Sequence, residues 1–542
     1  MFVVFEGIDG GGKTTLSNLV AKLLREAGLR VEHVREGGKF ASSVTQAMRE
    51  LGRDARNLAL TPRAELMLYL TREVQLLEEA TRPALARADI VIADRYVYTA
   101  EALAVYGRGA SAAEVAPVVA AATGGLVPDL VVLVDVDPHV ARGRRQVSKL
   151  ITNDTKPPSR KGLAGTGLQH RLRIGYRELA AREPERWLVI DNTEADLAAM
   201  ASALVDVVRG MHDGRSRGPV PSHAPPELRA HDLSSARTAL LAWVDRRAVR
   251  EPGLAAYFLD RVPGAEFEQR RRELADRAPS VIAAGLRGRN DDAAWQLRHQ
   301  LAATAPSEVA RSLDGVAGSH PDAAALLRSL IAIAPSEVGE ALSARDDADA
   351  WALRDALPGD AVLVSLGGVS GERAWARRQP WLAGLDTLED VGLASLICAS
   401  VSGIGDARAW AVRKALRAVA PVAALDATFG LVDDRAWRWR KRWLDRAPKT
   451  VMKTIASIDD PRAWELREQV ADICEEAIDS IFGLDGPRAW QLRARTIDTW
   501  PATVLKSLGA LPASEQASTL VARALEQHPT NVAVWRHAVT RG

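Results

Sequence analysis

Over roughly the first 210 positions, short apolar runs alternate with longer stretches whose apolar residues recur every three or four positions. Phe2–Phe5, Arg30–Val34, Ile90–Ala93, Leu130–Val136 and Trp187–Ile190 read as strands, the third closing on Asp94. Between them, Lys13–Ala27 reads as a helix with Leu16, Leu19, Leu23 and Ala27 on one stripe. A long helix is predicted from Pro62 to Ala88. Apolar strands joined through helices predict an α/β unit, a parallel sheet covered on both faces. Ligands of such sheets bind beyond the carboxyl ends of the strands.

After about residue 211 the pattern changes. Met211–His231 is rich in Pro, Gly and Ser without periodicity and reads as a linker. From residue 232 to 542 strand-like runs almost vanish and tryptophan becomes frequent: only Trp187 of the 14 tryptophans precedes the break. Trp410, Trp437, Trp464 and Trp490 stand 27, 27 and 26 residues apart, the last three opened by D-R-A-W, P-R-A-W and P-R-A-W. Trp351, Trp375 and Trp535 fit with looser spacing. Each unit predicts a helix of about 13 residues, then a shorter helix with Pro in its first turn, with Pro306, Pro335, Pro448 and Pro501 at equivalent places. Such a period means stacked helix pairs that bury a common core, an all-α solenoid of two-helix, HEAT-like repeats. Periodic Trp is first of all core packing between hairpins, against a ladder of ligand-binding rings. The arginines three residues further on (Arg298, Arg354, Arg413, Arg440, Arg467 and Arg493) are expected on a solvated ridge or paired with an Asp, the alternative being an ordered basic stripe for an anionic partner.

Composition narrows the class. The chain has 542 residues, 47% of them hydrophobic and 26% charged, which suits several folded domains and not a disordered chain. The formal net charge of +2 disfavours nucleic acid as a partner. Cys398 and Cys474, 76 residues apart, offer neither a disulfide framework nor zinc spacing, which suits a reducing cytoplasm. The opening M-F-V-V-F-E-G has no basic region of a signal peptide, and no uncharged apolar run reaches membrane-spanning length.

The sharpest chemical signal is G-I-D-G-G-G-K-T-T, comprising Gly7, Ile8, Asp9, Gly10, Gly11, Gly12, Lys13, Thr14 and Thr15. It matches G-x-x-x-x-G-K-[ST] between a strand and a helix. Glycines let backbone N–H groups converge on phosphate oxygens, and the helix N-terminus adds its own donors. Lys13 can reach the β- and γ-phosphates of ATP, and the Thr14 hydroxyl can ligate Mg²⁺. Asp94, ending its strand, is a second Mg²⁺ candidate, and Arg95 beside it can hold a second anion. Asp9 is suited to a substrate hydroxyl and Arg72 to a substrate phosphate. From Arg142 to Arg173 the chain is strongly basic, with Arg145, Lys156, Arg160 and Lys161 among its cations, and its middle reads as a mobile lid over phosphates.

F-E-G-I-D-G-G-G-K-T-T at Phe5–Thr15, V-R-E-G-G at Val34–Gly38, R-P-A-L at Arg82–Leu85, D-R-Y at Asp94–Tyr96, D-V-D-P at Asp135–Pro138 and W-L-V-I-D-N at Trp187–Asn192 together resemble the thymidylate kinase family over about residues 1–210. The resemblance implies a P-loop kinase sheet and ATP-dependent phosphorylation of dTMP, with Lys13 and Thr14 serving ATP and Mg²⁺. It further implies that Asp9 meets the sugar hydroxyl and that Arg35, Arg72 and Arg95 surround the acceptor phosphate. Gly10 stands where some members carry a catalytic Arg, which implies that the lid supplies it, from Arg142, Arg145 or Arg160. Two departures touch the base reader. Leu68, followed by Tyr69, replaces a stacking Phe, and Leu103 and Ala104 replace a Tyr and a Gln. Tyr69 and Tyr106 then compensate, or the acceptor is another nucleotide.

The leading reading is therefore a dTMP kinase with an appended repeat domain. Its rivals are a kinase of another nucleotide and an ATP-dependent switch or scaffold working through the repeats. A homodimer and a protein partner on the repeats are the assemblies to consider.

Overall fold

The computed structural model describes residues 1–35, 42–153, 159–194, 196–215, 225–316, 318 and 320–541. Glu36–Gly38 of the V-R-E-G-G segment, Asp154 and Lys156 of the basic stretch, and residues 216–224 of the linker lie outside them. The chain divides into two compact units. One comprises residues 1–145, 159–162 and 166–227, the other 146–158, 163–165 and 228–542.

The first unit is built on five parallel strands: β1 (Phe2–Glu6), β2 (Val31–Arg35), β3 (Ile90–Asp94), β4 (Leu130–Asp135) and β5 (Trp187–Asp191), in the order β2-β3-β1-β4-β5. β1, β3 and β4 are buried along their whole length, as uninterrupted Val/Ile runs require of a sheet covered on both faces. On one face, Val3, Phe5, Ile92 and Val132 pack against α1 (Lys13–Glu26) and the helix Leu197–His212. The stripe that α1 buries is Leu16, Val20 and Leu24 with Ser17 and Ala21. Leu19 and Leu23 are only half-buried and Ala27 is exposed. The helix is thus turned about 100° from the orientation that its leucines alone suggest, because a helix advances by that angle per residue.

Three further helices frame the site: α2 (Ser43–Arg53), α3 (Pro62–Leu76) and α4 (Arg82–Arg87). Ser42 and Thr61 cap the first two by accepting from Thr45 N and Ala64 N. The expected long helix is interrupted between α3 and α4 by a π-helical turn, Leu77–Thr81. Pro83 follows; it has no N–H to donate, and the wider turn absorbs the missing bond.

The second unit is helical throughout its described residues. The first helix of each pair is shorter than expected, ten residues in Asp292–Leu301, Ala407–Leu416, Asp434–Trp443, Pro461–Val470 and Pro487–Thr496. The second begins on proline, as in Pro306–Ser312, Pro448–Thr454 and Pro501–Ser507.

The arginines after the tryptophans are neither a ridge nor a stripe. Arg298, Arg354, Arg413, Arg440, Arg467 and Arg493 are all 0% exposed, and Arg378 joins them. Each donates to the carbonyl twelve residues earlier and, in all but Arg493, to the one nine residues earlier, both in the preceding turn. Each but Arg413 also reaches a Ser or Thr at the end of a following helix, and Arg413 bonds Ala427 O at the equivalent place. Arg467 bonds Ile455 O (2.8 Å), Ile458 O (2.9 Å) and Ser480 Oγ (2.8 Å). Arg440 repeats the set with Thr428, Leu431 and Thr454. Carbonyls at helix C-termini lack intrahelical partners, and a planar guanidinium satisfies several at once. Arg271 does the same with Leu259 and Val262, following Phe267 instead of Trp. The Trp rings are packed, as expected, and each lies against its buried guanidinium; Trp351 is held between Arg354 (4.9 Å) and Arg373 (4.1 Å). Burial pulls Arg467 down to about 10, which leaves it charged at neutral pH. Replacing Arg467 by Met is expected to destabilise the protein by about 3 kcal/mol or more, since each stranded carbonyl costs ~1–3 kcal/mol. Arg495→Ala, half-exposed, is the control expected to stay within about 0.5 kcal/mol; chemical denaturation followed by circular dichroism reads both.

Candidate phosphotransfer site

The carboxyl ends of β1, β3 and β4 converge on the segment Gly7–Thr15. Gly10 and Gly12 have φ of +86° and +88°. A side chain at Gly10 would run into the Ala141 carbonyl and the stem of Arg145, and one at Gly12 into Asn192 Nδ2. This explains the absence of an arginine at position 10: in this chain that place is already filled by the helix Pro138–Thr152. Asn192 ties the loop to β5 by donating to Gly11 O (2.8 Å).

Lys13 is buried and donates to Ile8 O at 2.7 Å. The Thr14 hydroxyl donates to Asp94 Oδ2 at 2.5 Å, and Arg35 Nε lies 3.8 Å from the same carboxylate. Two hard oxygen donors on adjacent elements fit a magnesium ion, which takes few protein ligands and keeps the rest of its shell as water and phosphate. Arg95 follows β3 with φ +84°, a left-handed backbone uncommon outside Gly and Asn. That turn aims its guanidinium back over the loop: Nη2 meets Asp9 Oδ1 at 2.5 Å, and Nη1 donates to Thr99 Oγ1 (2.9 Å) and Gly7 O (3.2 Å). Lys161 Nζ reaches the other Asp9 oxygen at 3.2 Å, and Gln169 Oε1 accepts from Asp9 N.

The electrostatics follow from this crowding. Burial would raise the Asp9 carboxyl, but Lys161, Arg95, Lys13 and Arg145 hold it well below the usual carboxylate range. Burial, then the neighbouring Arg95, lowers Lys13 to about 7. Burial raises Glu6, which accepts from Tyr96 N (2.9 Å) and Thr99 Oγ1 (2.7 Å) beneath the loop.

Next to this cluster opens a cavity whose wall includes Met48, Arg49, Gly52 and Arg53 of α2, Glu65, Leu68, Tyr69 and Arg72 of α3, and Leu103, Ser159 and Lys161. Arg72 lies 4.2 Å over the Tyr69 ring. Lys161 belongs to both places, bonded to Asp9 and lining the cavity. Three expectations need correction. Tyr106 is turned away from the cavity: its ring packs on Gly175 and its hydroxyl pairs with Glu178 and Arg182, both at 2.8 Å. Arg160 is buried against Glu65 and donates to Leu60 O (3.2 Å), so it buttresses the cavity wall beside Arg108 and is not presented to the loop. Arg142 stands beside His170, leaving Arg145, against Gly10, nearest the phosphate loop of the three. Lys161, Gln169, Asn192 and Glu6 were absent from the expected site. The contacts of Lys161, Gln169 and Asn192 with the loop span up to 181 residues, and no local spacing signals them; Glu6 adjoins the loop, but its partners Tyr96 and Thr99 lie 90 and 93 residues away.

A parallel sheet with a phosphate loop on its central strand, and a cationic cavity across Asp9, defines a P-loop nucleotide phosphotransferase of the nucleoside monophosphate kinase type. The thymidylate kinase family model matches residues 5–201. The thymidylate kinase of Trichlorobacter lovleyi is 38% identical over 208 residues, 38% of this chain and 96% of that protein. That of Solidesulfovibrio magneticus is 37% identical over 38% of this chain and 98% of its own. A solved thymidylate kinase from Ehrlichia chaffeensis matches 39% of this chain and 98% of its own, at 24% identity and a TM-score of 0.30. The chain belongs to the thymidylate kinase family.

With its ammonium lowered to about 7, Lys13 is largely neutral at pH 8 in the free protein. Phosphate oxygens favour the charged form and raise it again. ATP binding is therefore expected to take up close to one proton at pH 8 and nearly none through Lys13 at pH 6. Titration calorimetry in buffers of different ionisation enthalpy measures this, and Lys13→Gln should abolish the uptake.

Proposed function

We propose that this protein transfers the γ-phosphate of ATP to dTMP, yielding ADP and dTDP. The observation that carries the reading is the pairing of a phosphate loop with a second cationic seat. Lys13 and the Thr14–Asp94 pair lie on one side of Asp9, and Arg72 and Lys161 line a cavity on the other. In this reading Gly7–Thr15 cradle the triphosphate of ATP. Thr14 and Asp94 would hold Mg²⁺, which would neutralise phosphate charge. Arg35, Arg72 and Arg95 orient the acceptor phosphate, and Asp9 accepts from the sugar hydroxyl. Leu68, Tyr69 and Leu103 surround the base. A non-bridging oxygen of the acceptor phosphate attacks the γ-phosphorus, and the bond to the β–γ bridging oxygen breaks, releasing ADP. Lys13, Arg145 and Lys161 offset charge on the moving phosphoryl group. The protein's contribution is positioning and pre-arranged charge.

Domain limits of 1–210, 211–231 and 232–542, a cytoplasmic location, homodimerisation and a protein partner for the repeats belong to the same proposal. The buried, unpaired thiols Cys398 and Cys474 support the location. No described helix is long and apolar enough to cross a membrane.

The test is incubation with ATP·Mg²⁺ and a panel of dTMP, dUMP, dCMP, dAMP and dGMP, with diphosphates resolved by ion-exchange chromatography. Formation of dTDP is expected. ADP release without any diphosphate would instead favour a nucleotide switch. Arg72→Ala is expected to raise KM for dTMP about tenfold to a hundredfold with little change for ATP, the worth of one charge-assisted hydrogen bond. Lys13→Met should lower kcat about a hundredfold or more.

A further inference from the structure

The arginines that the repeat pattern put on the surface are buried, yet a surface row exists, formed by others. Helix Asp434–Trp443 reads D-R-A-W-R-W-R-K-R-W. Its buried side is Ala436, Trp437 and Arg440; Arg435, Arg438 and Arg442 are exposed, as is Arg446 in the turn that follows. They recur at intervals of three, four and four residues, one face of a helix, advancing about 4.5–6 Å per step. On the preceding helix pair, Lys414 and Arg417 are also exposed. None of these six cations has a carboxylate within salt-bridge distance among the described residues. Most other surface arginines of the repeats do, as Arg270 with Asp245, Arg408 with Glu372 and Arg523 with Asp498. Lys441 on the same helix is spent on Glu465 and the exposed Asp434 on Arg462, while Asp445, between Arg442 and Arg446 in sequence, is exposed as well. Arg435 recurs as Arg408, Arg462 and Arg488, the first two of them ion-paired, whereas Arg438 is matched by Gln296, Ala411, Glu465 and Gln491.

An aromatic ring decides which polyanion fits. Trp443 is half-buried, with Arg442 and Arg446 at 5.6 and 5.8 Å from its ring. Guanidinium forks hold carboxylate and phosphate alike. A partly open indole between two of them offers, in addition, a stacking surface for a planar base, which an acidic peptide does not use. We propose that the face formed by Arg435, Arg438, Arg442, Trp443 and Arg446 binds single-stranded nucleic acid, the arginines tracking successive phosphates and Trp443 stacking on one base. The near-zero net charge of the whole chain conceals this face, because most other surface arginines of the repeats are neutralised by ion pairs of their own.

The test uses the full-length protein and fluorescein-labelled dT20 in an anisotropy titration at several salt concentrations. Binding is expected, with log K falling against log salt at a slope near −3, as four phosphate contacts to a single strand give. The combined Arg435→Gln, Arg438→Gln and Arg442→Gln variant should lose at least tenfold in affinity and flatten the slope by about 2. Trp443→Leu should lose about tenfold without changing it. Circular dichroism melting and dTMP phosphorylation, both expected unchanged, show that the variants are folded. Unchanged dT20 affinity in the triple variant overturns the proposal. So does tighter binding of labelled poly-glutamate than of dT20, which would make the face a dock for acidic protein. A salt slope near zero overturns it as well.

Discussion

Arg95 and Asp9, 2.5 Å apart, are the hinge of the first unit's chemistry. Their contact needs a left-handed backbone at Arg95, a glycine-lined turn at Asp9, and adjacent strands to bring the two together, since β1 pairs directly with β3. Two cations flank the same carboxylate, Lys161 from the cavity side and Lys13 from the loop side. Asp9 thereby keeps its charge despite burial, and its charge in turn lets like-charged groups stand close together over the loop. Removing the carboxylate would leave Arg95, Lys161 and Lys13 facing one another with no anion until nucleotide arrives.

The same tension between charge and burial is resolved differently in the repeats. There the guanidiniums that follow a Trp have no carboxylate among their buried hydrogen-bond partners, only carbonyl and hydroxyl oxygens; Arg271, which follows a Phe, adds Glu268. Each sits where a helix ends and the chain turns, so the dipoles it meets all present their negative ends. A lysine would offer three donors around one point and could not span carbonyls nine and twelve residues back together with a side chain thirteen or fourteen ahead. The repeat needs arginine for geometry more than for charge; the irregular unit opened by Asp322–Leu330 departs from this and buries Leu327 at the corresponding place.

The parts legible in the sequence are those with local causes. All five strands appear within about two residues of their expected places, because each is a compact apolar run. The phosphate loop was legible because its glycines, lysine and threonine are contiguous. What escaped depends on partners far along the chain. Lys161 was visible as one cation among many, but its pairing with Asp9, 152 residues away, was not. Tyr106 looked apt to replace a lost aromatic, yet the π-helical turn Leu103–Gly107 carries it toward Glu178. The buried arginines were misread for a general reason. A charged residue at helical spacing is ordinarily a solvated one, and its burial can be recognised only when the carbonyls of the preceding turn are known to be without partners.

That reasoning also separates the two kinds of arginine on helix Asp434–Trp443, which a composition count merges. Arg440 lies three residues after the buried Trp437 and points with it into the stack, while Arg435, Arg438 and Arg442 take the opposite face. A helix that sends one guanidinium inward and three outward gains its stability from the first. The outward three add repulsion among themselves, since like charges at i and i+4 or i and i+3 oppose helix formation by a few tenths of a kcal/mol per pair. Arg435 belongs to the repeat itself, recurring as Arg408, Arg462 and Arg488, but at the place of Arg438 the neighbouring repeats manage with Gln, Ala or Glu. An unneeded, mutually repelling row persisting on a fold that elsewhere pairs most of its surface charges is the mark of a surface shaped by something that binds to it.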